Sequence, residues 1–558
     1  MATIEKYRHE NIKKGSPSFS KTRSIIETAF YGNNVVNITS LKEAYKLALN
    51  SPGTIITSYD VFEPSKIGLD IGSKVLLFND GAITGRYAAA RRIQGEPGVD
   101  SEVLDKLLME AVYDSRYKKM YHATSYIGLD KKFMVKAHLL IPEGHENILY
   151  NWLLNFQYIN EYYQDMYEKS DVIEGESDIY IFSDPDWKGT DRVDICEGKC
   201  LSYFATNSNC AAILGMRYFG EHKKGTLTLA WAIANRNGYA SCHGGQKEFT
   251  LPDKKKFVAS FYGLSGSGKS TLTHAKHNGK YVIKVLHDDA FIINCDDGSS
   301  IALEPSYFDK TNDYPIDSPD NKYLITVQNC GATLDDKGDV VLVTEDIRNG
   351  NGRAIKSKLW SPNRVDKINS PVNAIFWIVK DSTLPPILKV NGASLSSLMG
   401  ATLATKRTSA ERLAPGVDIN ALVFEPYANP FRTYPLVNDY EKFKMLFEKK
   451  NVACYIINTG DFDGKKIPKE LTLELVEKVV EDKAVFRRWE PFENLMIMDV
   501  AGFVPDMGDD NYLELLKRRM QDRCDFVMSR DTAKGGFDKL PDDAKQAIVE
   551  LNKQIEAK

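Results

Sequence analysis

Gly263-Leu264-Ser265-Gly266-Ser267-Gly268-Lys269-Ser270 fits the phosphate-loop pattern G-x-x-x-x-G-K-[ST] at every fixed position. Glycines let backbone N–H groups turn inward around a polyphosphate. The lysine brings a mobile positive charge, and the final serine hydroxyl can take a place around Mg²⁺. The flanks suit the motif. Lys256–Tyr262 is an apolar run that predicts a buried strand, and Thr271-Leu272-Thr273-His274 predicts the start of a helix. Strand, loop and helix in that order put phosphates at a helix N-terminus.

A chain of 558 residues exceeds one ordinary core, so two large domains are expected. Hydrophobic residues make up 43% and charged residues 27%, the composition of a globular protein in water. The formal net charge of −4 argues against nucleic acid as a partner. The first ten residues hold no apolar signal segment, and no apolar run reaches membrane-spanning length, so a cytoplasmic protein with no membrane partner is expected. Of eight cysteines, Cys196, Cys200 and Cys210 lie closest together, but without C-x-x-C spacing. Free buried thiols are the better reading than zinc ligands.

Hydrophobic periodicity predicts helices at Asp100–Tyr113, Ile148–Tyr167, Asn511–Ser529 and Asp542–Ala557. It predicts strands at Lys131–Ile141, Ile179–Phe182, Tyr281–Leu286, Val340–Val343, Val372–Val379 and Val452–Asn458. That alternation indicates an α/β class. The polar, glycine-containing segment Gly244–Asp253 marks a domain boundary, giving residues 1–245 and 246–558.

His287-Asp288-Asp289 closes the strand that begins at Tyr281. A carboxylate at the end of a second strand is where phosphate-loop enzymes hold a metal near the nucleotide, and of two adjacent aspartates one can bind it while the other holds Ser270 or a water. Upstream lie Tyr218-Phe219-Gly220-Glu221-His222-Lys223-Lys224-Gly225 and then His243, nineteen residues after Lys224. By composition alone, Lys223 and Lys224 would be a solvated pair and His243 a core histidine. That reading is overturned only by the family resemblance that these motifs, in this order and at these intervals, carry. Asp288 and Asp289 stand nineteen and twenty residues after Lys269. Leu384-Pro385-Pro386-Ile387, Ile457-Asn458-Thr459-Gly460 and Gly464-Lys465-Lys466 continue the series. Over most of its length the chain resembles the ATP-dependent phosphoenolpyruvate carboxykinases, less so before about residue 80.

The resemblance implies a two-domain α/β fold: an N-terminal substrate domain and a P-loop mononucleotide-binding C-terminal domain with the active site between them. It implies conversion of oxaloacetate and ATP to phosphoenolpyruvate, ADP and CO₂, in gluconeogenesis or anaplerosis. It implies Mg²⁺ on the nucleotide, at Ser270, and a second ion, Mn²⁺, at Lys224, His243 and Asp289. A lysine ligates metal only when neutral, which burial and a nearby cation favour. By matching position, Arg86 takes the substrate carboxylate, Tyr218 stands beside the CO₂ and oxaloacetate site, and Arg353 bridges substrate and γ-phosphate. Lys223 and Lys269 join them in catalysis, Lys310 lies at the nucleotide, and Lys466 and Thr472 line the adenine pocket.

The chain departs from the family in four places, one of them Gly352, where the resemblance has the threonine of an Asn-Thr-Arg run. The run after the substrate arginine becomes Tyr87-Ala88-Ala89-Ala90-Arg91-Arg92. Pro305 and Ser306 replace two glycines beside the nucleotide, and Gln328 replaces a glutamate. These changes leave room for a kinase of the same fold acting on another small carboxylic acid, or for a non-catalytic nucleotide-binding regulator. Gly400–Arg412, with small and basic residues running into Leu413-Ala414-Pro415-Gly416, matches a mobile loop that closes over the cleft in the family.

Overall fold

The computed structural model describes residues 3–558 except 5, 10–11, 13–18, 80–83, 159–160, 190–199, 265, 312–313, 316, 345–351 and 407–421. The architecture is mixed α/β, built on several sheets. In the first eight-stranded sheet the order is Val35–Ile38, Met120–Asp130, Phe133–Pro142, Ile179–Asp184, Cys210–Leu214, Leu201–Ala205 and Arg91–Ile93, with Gln157–Tyr158 paired beside Met120–Asp130. The second eight-stranded sheet runs Val282–His287, Gly245–Thr250, Lys256–Tyr262, Ala374–Val379, Ala453–Asn458, Ile387–Val390, Leu495–Ile497 and Arg487–Arg488. Its central strands Lys256–Tyr262, Ala374–Val379 and Ala453–Asn458 are parallel neighbours, and the strand Ala374–Val379 is buried at every residue. Parallel strands covered on both faces read as continuous apolar runs, which is why the sequence reveals them.

A five-stranded sheet joins the two halves of the chain. Thr54–Asp60 and Lys74–Phe78 come from before residue 245, and Tyr307–Lys310, Leu324–Gln328 and Arg353–Lys356 from after it. Between the sheets runs the 18-residue helix Phe219–Arg236, buried at every residue but the last. Its C-terminal half is apolar enough for a core, while its first two turns bury Glu221, His222, Lys223 and Lys224, which need partners there. In the apolar half Leu227, Leu229, Trp231 and Ile233 supply the burial, at about 1.5–3 kcal/mol for each large side chain. Among the described residues no helix is long and apolar enough to cross a membrane.

Most predicted elements appear within two or three residues of their expected limits. Two do not. The single helix expected at Ile148–Tyr167 is two helices, Glu146–Asn155 and Glu161–Glu168. Phe156 turns extended, and Gln157–Tyr158 pairs with Ser125 and Tyr126, so a ladder contact distant in sequence overrides local propensity. The segment Gly244–Asp253, read as a polar boundary, contains a strand: Gly245–Thr250 lies inside the second sheet with Gln246, Lys247 and Glu248 buried. Cys200 and Cys210 are free thiols, Cys210 buried in its strand, while Cys196 lies outside the described residues. Residues 407–416 of the expected lid also lie outside them. Its first residue, Gly400, ends a buried helix. A Cβ there would meet Trp377 at 2.6 Å, so that glycine serves packing, not hinging.

Candidate active site

The site is assembled by strand register. Tyr239–His243 runs antiparallel to Ala290–Asn294, with His243 opposite Ala290, and Gly244 N–H donates to Asp289 O at 3.1 Å. This brings the histidine to the aspartate. His287 fixes the aspartate from the other side. Its Nδ1 accepts from the backbone N–H groups of Asp289 and Ala290 at 3.0 and 3.2 Å, so the proton sits on Nε2, which donates to Ser306 O at 3.1 Å. His287 stacks flat on Tyr307, centroids 5.0 Å apart.

Four basic side chains then meet the Asp289 carboxylate. Lys223 Nζ lies 2.7 Å from Oδ2. Lys224 Nζ is 2.7 Å, His243 Nε2 2.9 Å and Lys269 Nζ 3.9 Å from Oδ1. The phosphate-loop lysine, Lys224 of the long helix and His243 thus share one oxygen. Burial would raise the Asp289 carboxyl, but Lys223, Lys224 and His243 hold it well below the carboxylate range. Burial lowers Lys224 to about 8 despite Asp289. Lys223 goes the other way. Burial opposes its charge, yet Asp289 and Glu304, the latter at 3.0 Å, raise it. Glu304 has no exposed surface, and burial lifts it to about 7 while Asn155 donates to its Oε2 at 2.5 Å. Aromatic rings wall the cluster. Lys224 Nζ lies 4.7 Å from the Phe431 ring and Lys223 Nζ 5.3 Å from Phe308.

His243 carries a conflict within this cluster. Its Nδ1 faces Ala428 O and its Nε2 faces a carboxylate. A neutral ring has one N–H for those two acceptors. Burial, with Lys269 and Lys224, lowers its pKa to about 3, so the doubly protonated ring does not resolve the conflict at neutral pH. A cation shared by Nε2 and Oδ1 would. Among the described residues no three His, Cys, Asp or Glu side chains are grouped to hold a metal, so any such ion here needs Lys224 as a third ligand.

The loop follows its strand Lys256–Tyr262 and leads into the helix Lys269–His274. A Cβ on Gly263 would lie 2.3 Å from Ser267 Oγ, and Gly268 has φ +96°. Both positions demand glycine. Ser267 Oγ is buried and has no hydrogen-bond partner among the described residues. Thr459 Oγ1 donates to Ser267 O at 2.7 Å and so ties the loop to the segment that leads to Lys466 and Thr472. Leu264 is buried, Ser270 is exposed, and Ser265 lies outside the described residues. Asp288 pairs with His274 Nε2 at 3.3 Å instead of with Ser270.

Arg353 is buried, and its strand places it beside Lys310 on one side and Gln328 on the other. Gly352 stands where the resemblance has threonine. A Cβ there would meet Thr311 Oγ1 at 2.2 Å and Cys330 Sγ at 2.8 Å, so glycine is required. Tyr218 caps the long helix, buried, with its ring over Gly220. Arg86 donates to Pro430 O at 2.5 Å and stacks on Phe431 at 4.5 Å, the ring that also faces His243 at 5.4 Å. A cavity of about 240 Å³ is lined among others by Thr84, His145, Asn151, Arg217, Gln328 and Asn329, and not by Arg86, Tyr218 or Arg353 themselves. Lys466 is exposed on the hairpin Asp461–Phe462 with Lys465–Lys466, and Thr472 is buried in the helix Lys469–Val480. Neither is among the side chains that meet Asp289.

Sequence reasoning passed over His287, Glu304, Phe431 and Arg91. Arg91 pairs with the fully buried Glu221 at 2.9 Å and donates to Phe431 O at 2.7 Å. The signal for His287 was its place directly before the aspartates. For Glu221 it was its place inside the Tyr218–Gly225 motif.

A phosphoenolpyruvate carboxykinase family model of the ATP type matches residues 70–504, a span that contains all of these residues. The chain belongs to the phosphoenolpyruvate carboxykinase family. Curated relatives named phosphoenolpyruvate carboxykinase (ATP) include one from Aeropyrum pernix, 25% identical over 344 residues, covering 58% of this chain and 68% of the relative. One from Bacillus cytotoxicus is 22% identical over 432 residues, and one from Staphylococcus aureus strain Newman is 24% identical over 441. Both cover 72% of this chain and 76% of the relative. The chain is thus a distant relative of each.

Proposed function

We propose that the protein is an ATP-dependent phosphoenolpyruvate carboxykinase, an enzyme that converts oxaloacetate and ATP to phosphoenolpyruvate, ADP and CO₂. The observation that carries this reading is the meeting of Lys224, His243 and Lys269 on one Asp289 oxygen, which joins a phosphate loop to a candidate metal site. Residues 263–270 cradle the nucleotide phosphates, with Lys269 on the β/γ-phosphates and Ser270 at Mg²⁺. The orphaned Ser267 hydroxyl fits such a ligand. Residues 246–558 form the nucleotide-binding domain and 1–245 the substrate domain. On this reading the enzyme serves gluconeogenesis or anaplerosis in the cytoplasm.

The conflict at His243 and the lowered pKa of Lys224 fit a divalent ion, Mn²⁺, held by Lys224, His243 and Asp289. When bound, such an ion supplies a Lewis acid next to the oxygen where enolate charge develops. The chain's own groups do the rest. Arg86 and Arg353 orient the substrate carboxylate. Loss of CO₂ breaks the C–C bond and leaves its electron pair as an enolate. Lys223, kept protonated between Asp289 and Glu304, stabilises that charge. The enolate oxygen attacks the γ-phosphorus, the bond to ADP breaks, and Lys269 spreads the charge of the transferring group. Phe431 and Phe308 keep water from the lysines, which limits protonation of the enolate to pyruvate.

The test is an assay of purified protein with oxaloacetate, ATP, Mg²⁺ and Mn²⁺, reading phosphoenolpyruvate directly. We expect turnover in the wild type and none measurable in Lys269→Ala at an unchanged melting profile. Equal turnover in that variant would discard the nucleotide assignment.

A further inference from the structure

The strand Gly245–Thr250 carries a lysine that no motif singles out. Lys247 is fully buried, and its Nζ lies 2.5 Å from Leu272 O, 3.2 Å from Ala275 O and 2.9 Å from His277 Nε2. Leu272 O is one of the last-turn carbonyls of the phosphate-loop helix Lys269–His274, which no further turn can satisfy, and Ala275 follows directly. His277 Nδ1 faces Glu477 Oε1 at 2.8 Å. A carboxylate there fixes the ring proton on Nδ1 and leaves Nε2 as an acceptor.

Three acceptors therefore converge on one amino group. An ammonium has three N–H donors, whereas a neutral amine has two and a lone pair. Only the charged lysine satisfies all three. Its cation stands at a helix C-terminus, where the backbone dipole favours it, and lies 4.7 Å from the ring of Phe249. Burial works against the charge and lowers the group to about 7, with Glu477 opposing that loss. The other charged and titratable groups around the relay are Lys280, 3.1 Å from Glu477 and 2.6 Å from Glu481, and Tyr281, whose hydroxyl donates to Glu481 at 2.6 Å. Glu477 sits on the helix Lys469–Val480, which also carries Thr472.

We propose that Lys247 is a positioning residue for nucleotide: its ammonium clamps the C-terminal end of the phosphate-loop helix and ties it, through His277 and Glu477, to the helix bearing Thr472. The proposal rests on the reading of residues 263–270 as a nucleotide site. A helix of six residues is about 9 Å long, so its two ends move as one body. Freeing the far end lets the first turn, with Lys269 and Ser270, leave the geometry that fits phosphate. Nucleotide affinity then depends on whether Lys247 carries its proton.

The experiment is calorimetric titration of the whole protein with Mg·ADP from about pH 6 to about pH 9, in wild type, Lys247→Met, Glu477→Gln, His277→Gln and His277→Leu. We expect wild-type affinity to weaken as pH rises through about 7. Lys247→Met should bind about tenfold more weakly at the acid end and lose that step in the pH profile, the effect of one buried carbonyl left unmatched. Glu477→Gln, which keeps the shape but removes the charge favouring the ammonium, should move the step to lower pH. His277→Gln can accept from Lys247 and donate to Glu477, so it should bind like the wild type, while His277→Leu should not. Lys247→Met with wild-type affinity and pH profile overturns the proposal. If that variant does not fold, an unmoved step in Glu477→Gln together with equal binding by the two His277 variants overturns it. A wild type that binds no Mg·ADP rejects the nucleotide site itself.

Discussion

Two buried lysines, Lys224 in the long helix and Lys247 at the C-terminal end of the helix Lys269–His274, differ in what holds them. Lys224 reaches a carboxylate at 2.7 Å, while Lys247 reaches two carbonyls and a ring nitrogen. Burial depresses both, Lys224 to about 8 and Lys247 to about 7. The full counter-charge beside Lys224 offsets more of the desolvation than dipoles do beside Lys247. On the proposed function Lys224 would face the reacting groups and Lys247 only the frame, so their removal should read out differently.

The largest expected effect comes from Lys224→Ala, which should lower kcat by about a thousandfold or more, since it removes a proposed ligand of the divalent ion beside the point where charge develops. Stopped assays at saturating substrate give the number. Should Lys247→Met cost as much in kcat, the division between reacting and framing lysines fails. Next is Glu304→Gln. It removes one of the two carboxylates around fully buried Lys223, and we expect a loss of about 2–3 kcal/mol in denaturant unfolding.

Gly352→Thr comes third. Restoring the family's side chain drives Cβ into Thr311 and Cys330, at a cost of about 1–3 kcal/mol. The double variant with Thr311→Ala should recover part of that loss, and melting curves of the two distinguish a clash from a general loosening.

The smallest effect is a pH slope. Lys247 ordinarily titrates at 10.5 and in the fold at about 7. Between those values the unfolded chain binds the extra proton, so stability gains with rising pH there, and below about 7 the folded chain bears the full cost of the buried charge. Wild type minus Lys247→Met in melting temperature should therefore climb from about pH 7 to about pH 10.5. A flat difference would mean that Lys247 is not depressed. The contribution of Lys247 to stability is then most favourable on the alkaline side of neutrality, where its clamp is weakest.

The same contrast explains what the chain discloses before it folds. The phosphate loop, the two aspartates and Lys224 stand in a fixed order because their chemistry needs fixed backbone, and that order is legible. The central strand Ala374–Val379 is legible because both its faces are covered. Lys247 is hidden because Gly245-Gln246-Lys247-Glu248 reads as a polar linker. Only the carbonyls of residues 272 and 275 and a glutamate 230 positions away explain a buried charge there. Glu304 and Arg91 are hidden likewise, since their partners Lys223 and Glu221 lie 81 and 130 residues distant. The break after Asn155 follows from pairing with the strand Met120–Asp130, which local helix propensity cannot report.

The five-stranded sheet has a consequence for synthesis. Lys74–Phe78, an apolar strand buried at four of its five residues, pairs on one side with Thr54–Asp60 and on the other with Leu324–Gln328. About 250 residues separate the last two partners. At about 5–20 residues per second a ribosome needs roughly 12–50 seconds to deliver the second. For that time the nascent chain presents Val75, Leu76, Leu77 and Phe78 on an open strand edge, the surface on which one chain adds to another. Slow stretches of translation between residues 78 and 324 would lengthen that exposure. A holdase bound near residue 76 would cover it until the downstream strand arrives.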